Sequence, residues 1–404
     1  MTNHSANTFT IVIPALNEEE AIGSTITKCL EAREKIEQAA NLDSIEIIVV
    51  SDGSTDRTAQ IAQSFNDVNV VIFEKNRGYG AAIKEGFRHG TGSLVGFLDA
   101  DGTCDPRYFA DMCRTAIEDD ANVVLGSRLG SDSKMPLVRR IGNRLYATML
   151  GLLCGRAVTD IASGMRVIRR ESLDLLYPLP DGLHFTPAMS SRALLNGLRV
   201  IEIPMRYEER VGISKLSVLH DGMRFLRAII EGVLCYRPER IFLIGFTLCL
   251  LSSIVLGAYP IEFYWHNSRV EEWMVYRFVV CFFLGSAGLF SLSAAALVHR
   301  MKGLGPRRRD GDTFWTAALS KLFSGKRLAV LTGGAVVFSV VLLWPGIAQY
   351  INKGQVTLHW SRVIVGSFGL LLAFQAVVTG VLLEVLEIWE DHHEVPDHHT
   401  PQKG

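Results

Sequence analysis

The sequence predicts two structural classes in series: an α/β domain on a mainly parallel, Rossmann-like sheet, then an all-α transmembrane domain. Two observations carry this. Up to about Pro238, short apolar runs alternate with helix-period segments, the pattern of βαβ units. Beyond Pro238 four apolar runs approach the roughly 20 residues that cross a bilayer. The boundaries follow: 1–217 for the α/β domain, 218–240 for a juxtamembrane amphipathic helix, 241–383 for four spans and 384–404 for a disordered tail.

In order, residues 9–13 read as a first strand stopped by Pro14. Asn17-Glu18-Glu19-Glu20 then opens a helix with acids in its first turn, where the helix dipole favours them. A second strand, 45–50, runs into the polar turn Ser51 to Asp56, with a helix from near Asp56. Residues 68–73 give a third strand, and Asn76-Arg77-Gly78-Tyr79-Gly80 opens another helix. The fourth strand, 94–98, ends in Asp99-Ala100-Asp101, and 122–125 is a fifth. If the chain stays extended, the strand period of two puts Asp99 and Asp101 on one side. Ligands of open α/β sheets gather at such strand ends. Two hard oxygen donors there suit a divalent cation, which commonly also binds substrate phosphates.

Other classes lose support. The turn after the first strand, Pro14-Ala15-Leu16-Asn17, has none of the glycines of a dinucleotide fingerprint, and no Walker A loop is present. The seven cysteines have no paired spacing, which argues for reduced thiols over a disulfide framework or zinc site. A net charge of −1 argues for no particular partner, and no nucleic-acid partner is read. The first eight residues are polar, so no cleavable signal peptide is read.

Four motifs carry a resemblance: Val12-Ile13-Pro14-Ala15-Leu16-Asn17-Glu18, Val50-Ser51-Asp52-Gly53-Ser54-Thr55-Asp56, Asn76-Arg77-Gly78 and Asp99-Ala100-Asp101. In this order at successive strand ends they resemble the family 2 glycosyltransferases, which have a GT-A fold. Gly126-Ser127-Arg128, the stretch from Asp160 through Ser163-Gly164 to Arg166, and Arg210 through Lys215 to Leu216 look like the polyprenyl-phosphate sugar transferases, including dolichyl-phosphate mannose and glucose synthases. The resemblance covers about 9–220.

It implies a nucleotide sugar as donor and a polyprenyl phosphate lipid as acceptor. Pro14, Leu16, Asn17, Glu18, Asp52 and Asn76 would lie at the nucleotide. Asp99, Ala100 and Asp101 would bind ribose and diphosphate, the two aspartates holding Mg2+ or Mn2+. Arg128, Arg139, Arg140, Arg166, Arg210 and Lys215 are the phosphate-clamping candidates, with Arg128, Arg210 and Lys215 placed with the aspartates in the catalytic set. Ser163-Gly164 reads as a tight turn, and Asp160 would lie near the acceptor phosphate. One departure stands out. Mannose-transferring relatives often carry a carboxylate in the helix after the Asp160 motif, whereas 184–189 here is His184-Phe185-Thr186-Pro187-Ala188-Met189. His184 reads as a loop histidine able to touch the sugar.

Residues 218–236 read as a helix on the membrane surface, with packing against the catalytic domain as the alternative. The spans fall at about 241–259, 278–298, 328–347 and 363–383, in two hairpins. Arg300, Lys302, Arg307, Arg308, Arg309, Lys321, Lys326 and Arg327 between the second and third mark that loop, and the catalytic domain with it, as cytoplasmic. The His-rich end (His392, His393, His398, His399) reads as a solvated tail. The rivals are a processive polysaccharide synthase, disfavoured by the missing Gln-x-x-Arg-Trp motif, and a non-catalytic membrane scaffold, disfavoured by the intact aspartates. A homo-oligomer is compatible with the chain, and no motif encodes one.

Overall fold

The computed structural model describes residues 7–130, 133–156, 158–210, 218–267, 269, 271–303, 318–319, 321–357 and 359–393. They form two compact units, Met1–Tyr236 and Arg237–Gly404.

The first unit runs β1 (Thr8–Ala15), α1 (Ile22–Ala40), β2 (Ser44–Asp52), α2 (Thr58–Gln63), β3 (Asn69–Phe73), α3 (Tyr79–His89), β4 (Leu94–Phe97), α4 (Phe109–Glu118), β5 (Val123–Ser127), α5 (Leu137–Cys154), β6 (Arg166–Arg169), α6 (Leu173–Leu176), α7 (Phe185–Leu195), β7 (Val200–Pro204) and α8 (Val218–Tyr236). The sheet order is β3-β2-β1-β4-β6-β5-β7. Only β6 runs antiparallel, to both β4 and β5, so the sheet is mainly parallel as the sequence predicts. The sequence reading contains five of these strands and lacks β6 and β7.

β1 is buried from Phe9 to Ala15, because helices cover both faces of a parallel sheet. Phe9, Ile11 and Ile13 join Ile22, Ile26, Phe109 and Met112 in one core cluster. Phe97 packs edge-on to Phe185 with ring centroids 5.9 Å apart. The connections reverse direction at β1: β2 lies on one side and β4 on the other. That switch point opens a crevice beyond the carboxyl ends of β1 and β4, the usual ligand position in such sheets.

Helix α1 begins at Ile22, with no acid in its first turn. Glu18 to Glu20 precede it because they are tied to the turn after β2: the Glu18 N–H donates to Thr58 Oγ1 at 2.8 Å and the Glu19 N–H to Asp56 Oδ2 at 3.1 Å.

The second unit contains α9 (Pro238–Asn267), α10 (Val275–Gly303), α11 (Gly325–Lys353) and α12 (Trp360–His393). Among the described residues it holds four stretches long and apolar enough to cross a membrane: Pro238–Asn267, Glu272–Met301, Gly325–Lys353 and Trp360–Trp389. α9 packs on α10, α11 on α12, and α10 also on α12. In that last contact Gln375 donates to Ser286 Oγ at 2.9 Å. The tail expected from 384 onward is instead helical to His393, since 384–393 contains no glycine or proline to stop the helix. His398 and His399 lie outside the described residues, as do 304–317 with Arg307, Arg308 and Arg309. Cys29, Cys104, Cys113 and Cys154 are free and buried, and Cys235 is exposed.

Candidate active site

A cleft of about 440 Å³ opens beyond β1 and β4. Pro14, Leu16 and Glu18 after β1, Asp52 at the end of β2, and Asn76 line it together with Asp99, Ala100 and Asp101. Asn17 is not among the lining residues. Its side chain accepts the Thr55 N–H at 2.8 Å from a left-handed backbone (φ 48°), latching the β1 turn to the β2 turn.

Asp52 is buried and has two local partners: its carboxylate accepts the Arg77 N–H at 2.6 Å and the Gly78 N–H at 2.9 Å. It therefore clamps the loop before α3 while facing the cleft. The neighbouring turn touches that loop so closely that a Cβ on Gly53 would stand 2.3 Å from the Asn76 nitrogen.

The acidic pair lies in the loop after β4. Asp99 Oδ1 accepts the Tyr79 hydroxyl at 2.7 Å. Asp101 accepts the Thr103 hydroxyl at 2.6 Å and faces Arg210 Nη1 at 3.2 Å. Burial, followed by the nearby Asp101 carboxylate, pushes the Asp99 pKa up to about 7, against the Tyr79 hydrogen bond. Sequence reasoning missed Tyr79, although it directly follows the Asn76-Arg77-Gly78 motif. It also missed the constraint on Gly164, where a Cβ would sit 2.0 Å from Asp99 Oδ2.

The basic residues separate by burial. Arg210 lines the cleft and bridges Asp101 to Glu18, donating to Glu18 Oε1 at 2.8 Å. Arg128 also lines it, but its guanidinium is committed to Asp160, donating through Nε and Nη2 at 2.8 Å each, and it lies over the Tyr207 ring at 5.6 Å. Burial alone would lower the Arg128 pKa; the Asp160 carboxylate reverses this and raises it. Asp160 is fully buried and also accepts the Asn143 amide at 2.9 Å. It holds Arg128 in place and does not line the cleft.

Ser163 and Arg166 are likewise fully buried and absent from the lining. Ser163 Oγ donates to the Gly126 carbonyl at 2.6 Å. Arg166 donates to the carbonyls of Ser163 at 3.1 Å and Ile161 at 2.7 Å, so it braces the loop that carries Gly164. Its Nη1 has no hydrogen-bond partner among the described residues, and burial lowers its pKa to about 10.

Arg139 and Arg140, inseparable by sequence, diverge on α5: Arg139 lines the cleft and Arg140 a second cavity. Arg224 of α8 is a cleft residue, on the helix that the sequence reads either as lying on the membrane surface or as packing against the catalytic domain. His184 stands at the N-terminal cap position of α7 without a side-chain capping bond, beside the cleft and outside its lining. Lys215 lies outside the described residues.

Among the described residues no three His, Cys, Asp or Glu side chains converge as a metal cluster. Asp99 and Asp101 nonetheless fit a hard cation: two carboxylates close enough for one to raise the other's pKa have charge to share. Such a cation takes its remaining oxygens from substrate phosphates and water.

Residues 10–176 match the family described as Glycosyl transferase family 2. The low-salt glycan biosynthesis hexosyltransferase Agl6 of Haloferax volcanii is 31% identical over 62% of this chain and 59% of its own length, so the chain spans under two thirds of that relative. The dolichyl-phosphate hexose transferase of the same organism is 31% identical over 57% of this chain and 96% of its length. An undecaprenyl-phosphate 4-deoxy-4-formamido-L-arabinose transferase of Proteus mirabilis is 30% identical over 54% and 65% respectively.

Proposed function

The chain belongs to glycosyl transferase family 2, and on that premise we propose that it moves one hexose from a nucleotide sugar of the GDP-mannose or UDP-glucose type to a polyprenyl phosphate, inverting the anomeric carbon. The catalytic unit works at the cytoplasmic face, tethered by four spans and by α8 as a membrane-surface helix. One observation carries the reading: Asp99 and Asp101 share a single cleft with Arg139, Arg210 and Arg224. A reaction between two phosphate-bearing substrates needs that mixture of charges. The names of relatives that act on dolichyl or undecaprenyl phosphate support the acceptor class.

A lipid phosphate, with a second pKa near 6, is largely ionised at neutral pH, so it needs positioning more than deprotonation. One of its oxygens attacks the sugar C1 from the face opposite the nucleotide. The new C1–O bond forms as the C1–O bond to the diphosphate breaks, and the electron pair leaves with the nucleoside diphosphate. Arg139, Arg210 and Arg224 hold the phosphates, and Arg210 exchanges its carboxylate partners for substrate oxygens. Arg128, fixed by Asp160 and Tyr207, keeps its charge in a constant place beside them. Tyr79 orients Asp99. Asp99 and Asp101 would hold Mg2+ or Mn2+, which would supply positive charge against that building on the departing diphosphate.

The test supplies membranes containing the chain with radiolabelled nucleotide sugars and polyprenyl phosphate, followed by lipid extraction. Label should enter the lipid phase as one sugar per polyprenyl phosphate. Asp101→Ala should abolish it while the protein remains folded, and normal lipid-linked product from that variant would refute the role given to Asp101. Products longer than one sugar would favour a processive synthase. Absence of nucleotide-sugar binding with Mn2+ present would favour a scaffold.

A further inference from the structure

Helix α5 carries an apolar stripe on its outer side. At about 100° per residue, Asn143, Ala147, Leu150 and Cys154 share the buried side. Leu137, Ile141, Leu145 and Leu152 lie within about 80° of arc on the side roughly opposite. These three leucines and one isoleucine are between 60% and 76% exposed. A water-facing helix side ordinarily carries charge. Single exposed apolar residues need no explanation, but four on one helix side, interrupted there by Thr148 alone, do.

The flanks of the stripe differ. One carries Val138, Arg139 and Tyr146, which line the catalytic cleft. The other carries Arg140 and Arg144, which line a separate cavity of about 520 Å³.

We infer that this side of α5 is seated in a bilayer surface, with Arg140 and Arg144 against anionic lipid headgroups. The inference goes beyond sugar transfer and needs only that the chain is tethered to a membrane. Three features select a bilayer. The first candidate span starts at Pro238, two residues after α8 ends at Tyr236, so the tethered unit is never far from lipid. An apolar stripe flanked by arginines is the pattern of helices that lie in the headgroup region. The helix contains three arginines and no acid, so pairing with the same side of a second copy would set those charges against their equivalents. The consequence is specific: the Val138 and Tyr146 edge of the cleft borders the seated stripe, giving a lipid-borne substrate a path that does not leave the membrane.

The experiment uses the full chain with Cys235→Ser, Cys249→Ser and Cys281→Ser, the other four thiols being buried. A nitroxide is attached at Ile141→Cys or Leu145→Cys, and at exposed Glu74→Cys as the control. The protein is reconstituted into phosphatidylcholine–phosphatidylglycerol vesicles. Collisions are measured with oxygen, which concentrates in the bilayer, and with a water-soluble nickel chelate. Oxygen should dominate at 141 and 145, and the chelate at 74. With Arg140→Gln and Arg144→Gln, or with phosphatidylglycerol omitted, the oxygen preference at 145 should shrink. Chelate dominance at 141 and 145, matching 74, would overturn the inference. So would protection from both reagents with spin–spin broadening, which would mean that a second copy covers the stripe. An oxygen preference indifferent to both arginines and to anionic lipid would overturn the headgroup assignment.

Discussion

Asp160→Ala is expected to destabilise the catalytic unit by about 3–5 kcal/mol, the usual result of removing one partner from a buried ion pair. The Asp160 carboxylate is inaccessible and accepts the Arg128 backbone N–H at 2.9 Å, two Arg128 guanidinium bonds at 2.8 Å and the Asn143 amide at 2.9 Å. Its loss leaves a buried cation and an amide without their acceptor. Asp160→Asn keeps the shape without the charge and should lie between the variant and the wild type. Thermal and denaturant unfolding of the purified full chain in detergent provides the measurement. The pH dependence has a defined sign. Burial would raise the Asp160 pKa, but Arg128 outweighs it and holds the carboxyl below its ordinary value. The stabilisation is therefore complete above about pH 4, the unfolded value, and is lost as pH falls through the lower folded value. The gap between wild type and Asp160→Ala should be constant from pH 7 to pH 5 and close only in stronger acid. A loss below about 1 kcal/mol, typical of a surface pair, would contradict the buried geometry.

What could be read from the sequence tracks how local each signal is. β1, β2, β3 and β4 are apolar runs followed by polar turns, and the acidic pair after β4 announces itself by position. β6 gives no comparable signal: it has four residues with arginine at both ends, and it pairs between β4 and β5, far away in sequence. Burial of charge was equally unreadable. Asp160, Ser163 and Arg166 sit in one motif with Gly164, and their residue types suggest contact with phosphate. Their fully buried side chains brace the loop instead. The stripe on α5 went unread because apolar residues at helical spacing normally mark the buried side, and nothing local says that Asn143, Ala147 and Leu150 form the buried side instead.

Gly164→Ala is expected to reduce transfer by about 10²-fold, the scale of a misplacement near 1 Å in a catalytic group. A Cβ there would lie 2.0 Å from Asp99 Oδ2, 2.5 Å from its Cγ and 2.8 Å from its Oδ1, so one side must move. The loop resists, because Ser163 Oγ is bonded to the Gly126 carbonyl at 2.6 Å and Arg166 to the Ile161 carbonyl at 2.7 Å. Asp99 is the softer partner, held at one oxygen by the Tyr79 hydroxyl at 2.7 Å. Its carboxylate should therefore turn out of line with Asp101, weakening Mn2+ binding together with turnover while the unfolding temperature changes little. Manganese paramagnetic resonance on the purified chain, run beside initial rates, separates these effects. Wild-type affinity and rate in the variant would mean that Asp99 works from another position, and the glycine would then be a turn residue only. Joint loss of affinity and rate, with the fold intact, would make Gly164 the residue that sets where the first carboxylate stands.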